Sequence, residues 1–334
     1  MTPSKFDVLT IGNAIVDIIA RADDDFLVRE DIIKGAMNLV DAPRAEHLYA
    51  AMGNAIEASG GSAGNTAAGI ASFGGKAAYF GKVSSDHLGG IFTHDIRAIG
   101  VAFDTAPLEG APPTARSMIF VTPDGERTMN TYLGACVELG IEDIDTRVVA
   151  DTKVTYFEGY LWDPPRAKEA IRHAASIAHE NGREVSMTLS DPFCVDRYRD
   201  EFLDLMRSGT VDITFANESE LKSLYQTADL ATAIEAVKAD CKITAVTRGE
   251  HGSMVVAGNT VIEVPAHAVE TVEDTTGAGD LYAAGFLWAY TQGHDHRTCA
   301  EIGGLAAAEV ISHIGPRPQV NLADHLAQSG LLSL

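Results

Sequence analysis

The stretch Asp274-Thr275-Thr276-Gly277-Ala278-Gly279-Asp280 (DTTGAGD) is followed at once by LYAAGFLWAY, which is apolar on every side. A loop of small residues thus ends in a carboxylate where a buried helix must begin. A helix start leaves backbone N–H groups without partners and carries partial positive charge, so it attracts anions. Small side chains at Gly277, Ala278 and Gly279 let a phosphate approach those donors closely. Thr275 or Thr276 can cap the helix start. Asp280, in the first turn, can take a proton from a hydroxyl while the donors stabilise charge on a transferring group. A plain Gly-rich turn would explain the glycines but not the carboxylate. Loop and aspartate together spell phosphoryl transfer, with an anion hole on one side and a base on the other.

Working outward, short apolar runs alternate with helical segments. Candidate strands are 6–12, 77–83, 154–159, 184–190, 211–217 and 243–249, and candidate helices are 85–100, 164–182 and 230–240. Such alternation predicts an α/β fold with a largely parallel central sheet, which binds ligands beyond the carboxyl ends of its strands. Two regions break the rhythm. RSMIFVTPDGERTMNTYLG (116–134) reads as a hairpin around Asp124-Gly125, and residues 21–42 carry short apolar pieces between charges. Together they predict a small β element, a lid formed from about 21–42 and 101–134 of a single domain spanning 1–334.

Composition narrows the function. The 334 residues carry a net charge of −22, which disfavours a nucleic-acid binder and means that any anionic substrate needs a local site. No run is long and apolar enough for a membrane helix, and the start lacks a signal-peptide layout, so a cytoplasmic protein with no membrane partner is expected. Cys136, Cys194, Cys241 and Cys299 lie far apart, as reduced core residues do. There is no GxxxxGK[ST], no GxGxxG after a predicted strand and no protein-kinase signature set.

DTTGAGDLYAAGFL resembles the C-terminal signature of the ribokinase-like (PfkB) carbohydrate and nucleoside kinases. GGSAGNTAAGIASFGGKAAYFGKVSSDHLGG (60–90) resembles their N-terminal signature. The resemblance covers essentially the whole chain. It implies a doubly wound, mostly parallel central sheet flanked by helices, with a small β lid. It also implies that Asp280 is the catalytic base and that Gly277, Ala278 and Gly279 form the anion hole. ANESE (216–220) matches the family's Asn-x-x-Glu, placing Asn217 and Glu220 at the ATP phosphates, with Glu220 reaching Mg²⁺ through water. As plain sequence, Asn217 and Glu220 also read as a helix cap. VTRGEHGS (246–253) places Thr247, Gly249 and Gly252 along the ATP, although a simple hairpin would also suit it. Asp274 and Thr276 fall where some members hold a monovalent cation, K⁺.

GNAIVD (12–17) and LSDPF (189–193) are more similar to the adenosine kinases of that family than to its ribokinases or fructokinases. In LSDPF, Asp191 stands where adenosine kinases often have a small residue. Asn13, Asp17, Gly61, Ser62 and Asn65 would then hold the acceptor's ribose. Asp17 lies amid Ile15, Val16, Ile18 and Ile19, where a buried carboxylate needs partners. Arg127 matches an arginine that adenosine kinases bring to the transferring phosphate on closure, although a solvated hairpin arginine has the same spacing. Tyr160 and Trp162 are candidates to face a base, and core positions would account for either. The resemblance implies ATP-dependent phosphorylation of a primary hydroxyl, foremost the 5′-hydroxyl of adenosine. A sugar kinase acting on ribose, fructose or a sugar acid is the alternative, and a non-catalytic nucleotide-binding regulator the second. A monomer or a homodimer is expected.

Overall fold

The computed structural model describes residues 4–332. In chain order the strands are β1 (Phe6–Ile11), β2 (Ile15–Arg21), β3 (Met37–Leu39), β4 (Ala55–Ser59), β5 (Ala77–Phe80), β6 (Ala115–Val121), β7 (Arg127–Tyr132), β8 (Thr152–Glu158), β9 (Glu184–Thr188), β10 (Ile213–Asn217), β11 (Ile243–Thr247), β12 (Ser253–Ala257) and β13 (Thr260–Val264). An eight-stranded sheet runs β13-β12-β11-β10-β9-β8-β1-β5. From β5 to β11 its neighbours are parallel, and β12 and β13 close one end antiparallel. Both faces are covered, so the strands bury side chains alternately on each side. Val8 faces a core shared with helices Ser62–Ser72, Ala278–Thr291 and His296–Val310. Leu9 and Ile11 face the other core, against helices Pro165–Glu180, Pro192–Arg207 and Leu230–Asp240.

A five-stranded second sheet runs β3-β7-β6-β2-β4. Its pattern alternates too: Met118 and Phe120 pack with Leu27, Ala45 and Leu48 beneath two helices, Asp24–Arg29 and Ala42–Ala51. Ser117 and Ile119, pointing the other way, line a cavity over the large sheet. Here the strands differ from the sequence reading. β2 and β4 belong to this sheet, although only 21–42 and 101–134 were expected to supply it. Residues 101–108 instead run beside the large sheet, with parallel bridges Ala78–Ala102 and Ser84–Leu108. Phe103 holds them there, edge-on to Tyr79 and Phe92 in the core. Among the described residues no helix is long and apolar enough to cross a membrane.

Candidate active site

The DTTGAGD loop is shaped by Gly277. It takes the left-handed conformation (φ 81°) as the N-cap of helix Ala278–Thr291, and no side chain caps that helix. The expected threonine cap is absent because Gly277, not Thr275 or Thr276, occupies the cap position. The first-turn amides therefore keep their donors for something else. At Gly279 a side chain would meet no heavy atom within 4 Å, so the backbone is open on that side. Gly277 is not open: a Cβ there would sit 2.6 Å from the Pro316 carbonyl oxygen. Gly277→Ala combines that clash with a left-handed backbone, a strain of about 1–3 kcal/mol. Thermal unfolding of the variant should show a clear fall in Tm.

Asp280 faces helix Ser62–Ser72. Ser62 Oγ donates to Asp280 Oδ1 at 2.6 Å, and Asn65 Nδ2 donates to Oδ2 at 3.0 Å. Burial pushes the Asp280 carboxyl up to about 6, against the pull of those two bonds. A base poised there is ionised at neutral pH yet still willing to take a proton. Gly61 caps this second helix with φ 85° and brings it against the backbone carbonyl of Asn13.

Asn13 sits in the link between β1 and β2, and Asp17 lies within β2 itself. Asn13 donates through its backbone N–H (3.0 Å) and Nδ2 (2.6 Å) to Glu158 Oε1, while the Ala63 N–H donates to Oε2 at 2.7 Å. Glu158 closes β8 and is 1 % exposed; burial pushes it up to about 7. It ties the β1–β2 link to the start of helix Ser62–Ser72 at one end of the cavity. The sequence reading missed it, although an acid ending an apolar parallel strand was a usable signal. Burial also pushes Asp17 up to about 6, with Arg127 and Arg317 pulling it back. Arg317, likewise missed, donates through Nη1 to Ser59 Oγ (2.6 Å) and through Nε to Asn65 Oδ1 (3.4 Å). It thereby turns the Asn65 amide so that its NH₂ meets Asp280.

At the other end, Asn217 and Glu220 form a reciprocal helix cap. The Asn217 N–H donates to Glu220 Oε2 at 2.9 Å, Nδ2 donates to Oε1 at 2.5 Å, and the Glu220 N–H donates to Asn217 Oδ1 at 2.8 Å. The helix-cap reading of ANESE holds, and the capped pair also lines the cavity. Burial pushes Glu220 up to about 7. Thr247 lines the cavity too, whereas Gly249 and Gly252 form the positive-φ turn between β11 and β12 outside its lining. Among the described residues no three His, Cys, Asp or Glu side chains cluster to hold a metal. Glu220 and Asn217 suit a Mg²⁺ ligated mainly by phosphates and water.

Two further candidates, Arg127 and Trp162, stand off the cavity. Arg127 does not line the cavity; it is buried and pairs with Asp274. The Asp274 carboxylate also accepts from the Thr276 and Gly315 N–H groups, each at 3.0 Å. Trp162 is fully buried, stacked near Phe157 with its Nε1 donating to Glu201, so the core reading holds for it. Tyr160 lines the cavity, and Asp191 caps helix Pro192–Arg207 by accepting from the Cys194 N–H. Asn13, Asp17, Glu158, Asn217, Glu220 and Asp280 surround one cavity of about 450 Å³ along the carboxyl ends of β1, β8, β9, β10 and β11, roofed by the second sheet. That volume suits small molecules. A hydroxyl held near Asp280 and an anion on the Gly277–Gly279 amides would meet within it.

Known proteins share this fold. A solved adenosine kinase from Sinorhizobium meliloti shares 67% identity, with a TM-score of 0.93 over 98% of this chain and 100% of that one. A "probable sugar kinase protein" from Rhizobium etli shares 64% identity, with a TM-score of 0.94 over 98% of this chain and 100% of that one. The adenosine kinase of Saccharomyces cerevisiae is 26% identical, over 92% of this chain and 96% of its own length. The family model described as pfkB family carbohydrate kinase matches residues 42–322, and the chain belongs to that family.

Proposed function

We propose that the protein transfers the γ-phosphoryl group of ATP to the 5′-hydroxyl of adenosine, giving AMP and ADP. Asn13, Asp17, Gly61, Ser62 and Asn65 hold the ribose. Asp280 takes the hydroxyl proton as the new P–O bond forms, and the amides of Gly277, Ala278 and Gly279 receive the negative charge of the phosphoryl group. Asn217, Glu220 and Thr247 lie along the nucleotide. Mg²⁺, when bound with ATP, neutralises charge on the phosphates, and Glu220 would hold its water shell. A K⁺ at Asp274 and Thr276 would compete with the bonds that already engage Asp274.

One observation carries the choice of acceptor. The roof over the acceptor end presents Met37, Leu39, Ile119, Met129 and Leu133. A free sugar offers hydroxyls on every side and gains little from such a surface, whereas a purine buries its flat faces there. The likeness to adenosine kinases supports the same reading. The likeness to a sugar kinase of similar identity keeps the free-sugar acceptor as the second reading. The test is acceptor-dependent ADP release with Mg-ATP across adenosine, inosine, ribose, fructose and sugar acids. Adenosine is expected to give the highest kcat/KM, and turnover confined to a free sugar would overturn the assignment while leaving the chemistry intact.

A further inference from the structure

Five carboxylates, Asp17, Glu158, Asp163, Glu220 and Asp280, line the cavity, against a single cationic side chain among the described residues, Arg197. A chain of net charge −22 repels a polyanionic nucleotide, and this lining would repel it further unless something local offsets it. Arg127 and Arg317 do not lie on the cavity surface. The first pairs with Asp274 and the second hydrogen-bonds Ser59 and Asn65.

Arg197 is placed to supply the missing charge. It sits in the helix that follows β9, between the acceptor end at β1 and β8 and the nucleotide end at β10 and β11. Nη2 donates to Asp163 Oδ2 at 3.1 Å, and the other Asp163 oxygen accepts from the Tyr198 hydroxyl. Among the described residues Nε and Nη1 donate to no oxygen or nitrogen acceptor, with only the Cys194 thiol nearby, so most of the fork is free. The guanidinium lies over the Phe193 ring, 4.6 Å from its centroid, and Phe193 is itself 65 % exposed at the rim. Stacking of this kind fixes a guanidinium's plane and leaves its edge for an oxyanion.

We propose that Arg197 binds the phosphate chain of the phosphoryl donor, with Asp163 as the counter-ion that holds it in place before the nucleotide arrives. The inference rests on the ATP-dependent reading above. Its test uses a non-hydrolysable ATP analogue with Mg²⁺, titrated calorimetrically against the full chain, with adenosine titrated separately. Arg197→Ala should weaken the analogue about 10- to 100-fold, the loss expected for a charge-assisted bond to phosphate, and leave adenosine affinity unchanged. Arg197→Lys keeps the charge without the fork and should fall between. Asp163→Asn keeps an oxygen to accept from Arg197 Nη2 while removing a repelling charge, so it should tighten analogue binding. If the pair were only structural, Arg197→Ala and Asp163→Asn would weaken binding alike. That result would overturn the proposal, as would unchanged analogue affinity in Arg197→Ala or a loss confined to adenosine. If the wild type binds the analogue but phosphorylates no adenosine, the acceptor assignment fails while the Arg197 titration still decides.

Discussion

Asp280→Asn is expected to lower kcat about 10³-fold, within the range that a positioned general base contributes, while leaving adenosine binding nearly intact. The amide keeps the shape of the carboxylate. Its oxygen still accepts from one partner, and the Ser62 hydroxyl can rotate to accept from its NH₂. What is lost is the proton acceptor. A steady-state assay on the variant, paired with adenosine titration, separates chemistry from binding. A fall of less than about tenfold would remove Asp280 from the base role, because even weak general bases contribute more.

The same substitution should raise stability, with a pH signature of its own. The folded-state carboxyl is pushed up to about 6 from an ordinary 3.8 by burial. A raised folded pKa means that the native state prefers the protonated form. Its contribution to stability is fully present below the unfolded value and is lost as pH rises through about 6. The asparagine variant is spared that loss, so its Tm should exceed the wild type's by about 1–3 °C at pH 7.5, and the gain should vanish near pH 4. Enzyme activity should run the other way. The acid limb of kcat/KM should fall with an apparent pKa near 6, shared with Asp17, which titrates in the same range. A flat profile between pH 5 and 8 would contradict both statements.

The DTTGAGD loop was legible in the sequence because its features are local: small residues, a helix start and a carboxylate stand side by side. The large parallel sheet was legible for a similar reason, since apolar strand and helix periods alternate along the chain. What escaped is set by distant contacts. β2 follows β1 after three residues, and its IVDIIAR alternation reads as a continuation until β4 and β6 are seen beside it. Glu158 matters because Asn13 and Ala63, far away in the chain, converge on it. Tyr160 and Trp162 are two residues apart, yet one faces the cavity and the other the core. The 3₁₀ turn Gly159–Trp162 decides which, and neither spacing nor hydropathy encodes it.

At Arg127 the resemblance and the structure differ, for the one brings it to a transferring phosphate and the other pairs it with Asp274. Arg127→Ala is expected to lower kcat by 10²-fold or more with less than a threefold change in adenosine affinity, an effect of the size that arginines at transferring phosphoryl groups produce. In the structure Arg127, on β7, is buried against Asp274 in the DTTGAGD loop. Burial pushes the Asp274 carboxyl up, but the Gly315 and Thr276 amides and then Arg127 outweigh it and leave it below the usual range. Removing the arginine strands a buried carboxylate that still has two main-chain donors, so the variant should be less stable by about 3 kcal/mol, the low end for a broken buried pair. Two of the arginine's nitrogens, Nε and Nη2, are buried without a protein partner. Off the cavity surface as they stand, these desolvated donors would bond an anion more strongly than in water once a shift of the second sheet brought them to it. Asp274→Asn separates the two ways in which Arg127 could act. It weakens the pair while leaving Arg127 in place, so kcat should stay within about tenfold of wild type if the arginine serves the phosphoryl group. A fall in kcat equal to that of Arg127→Ala would mean that Arg127 works by holding the loop, and an unchanged kcat in Arg127→Ala would remove it from catalysis altogether.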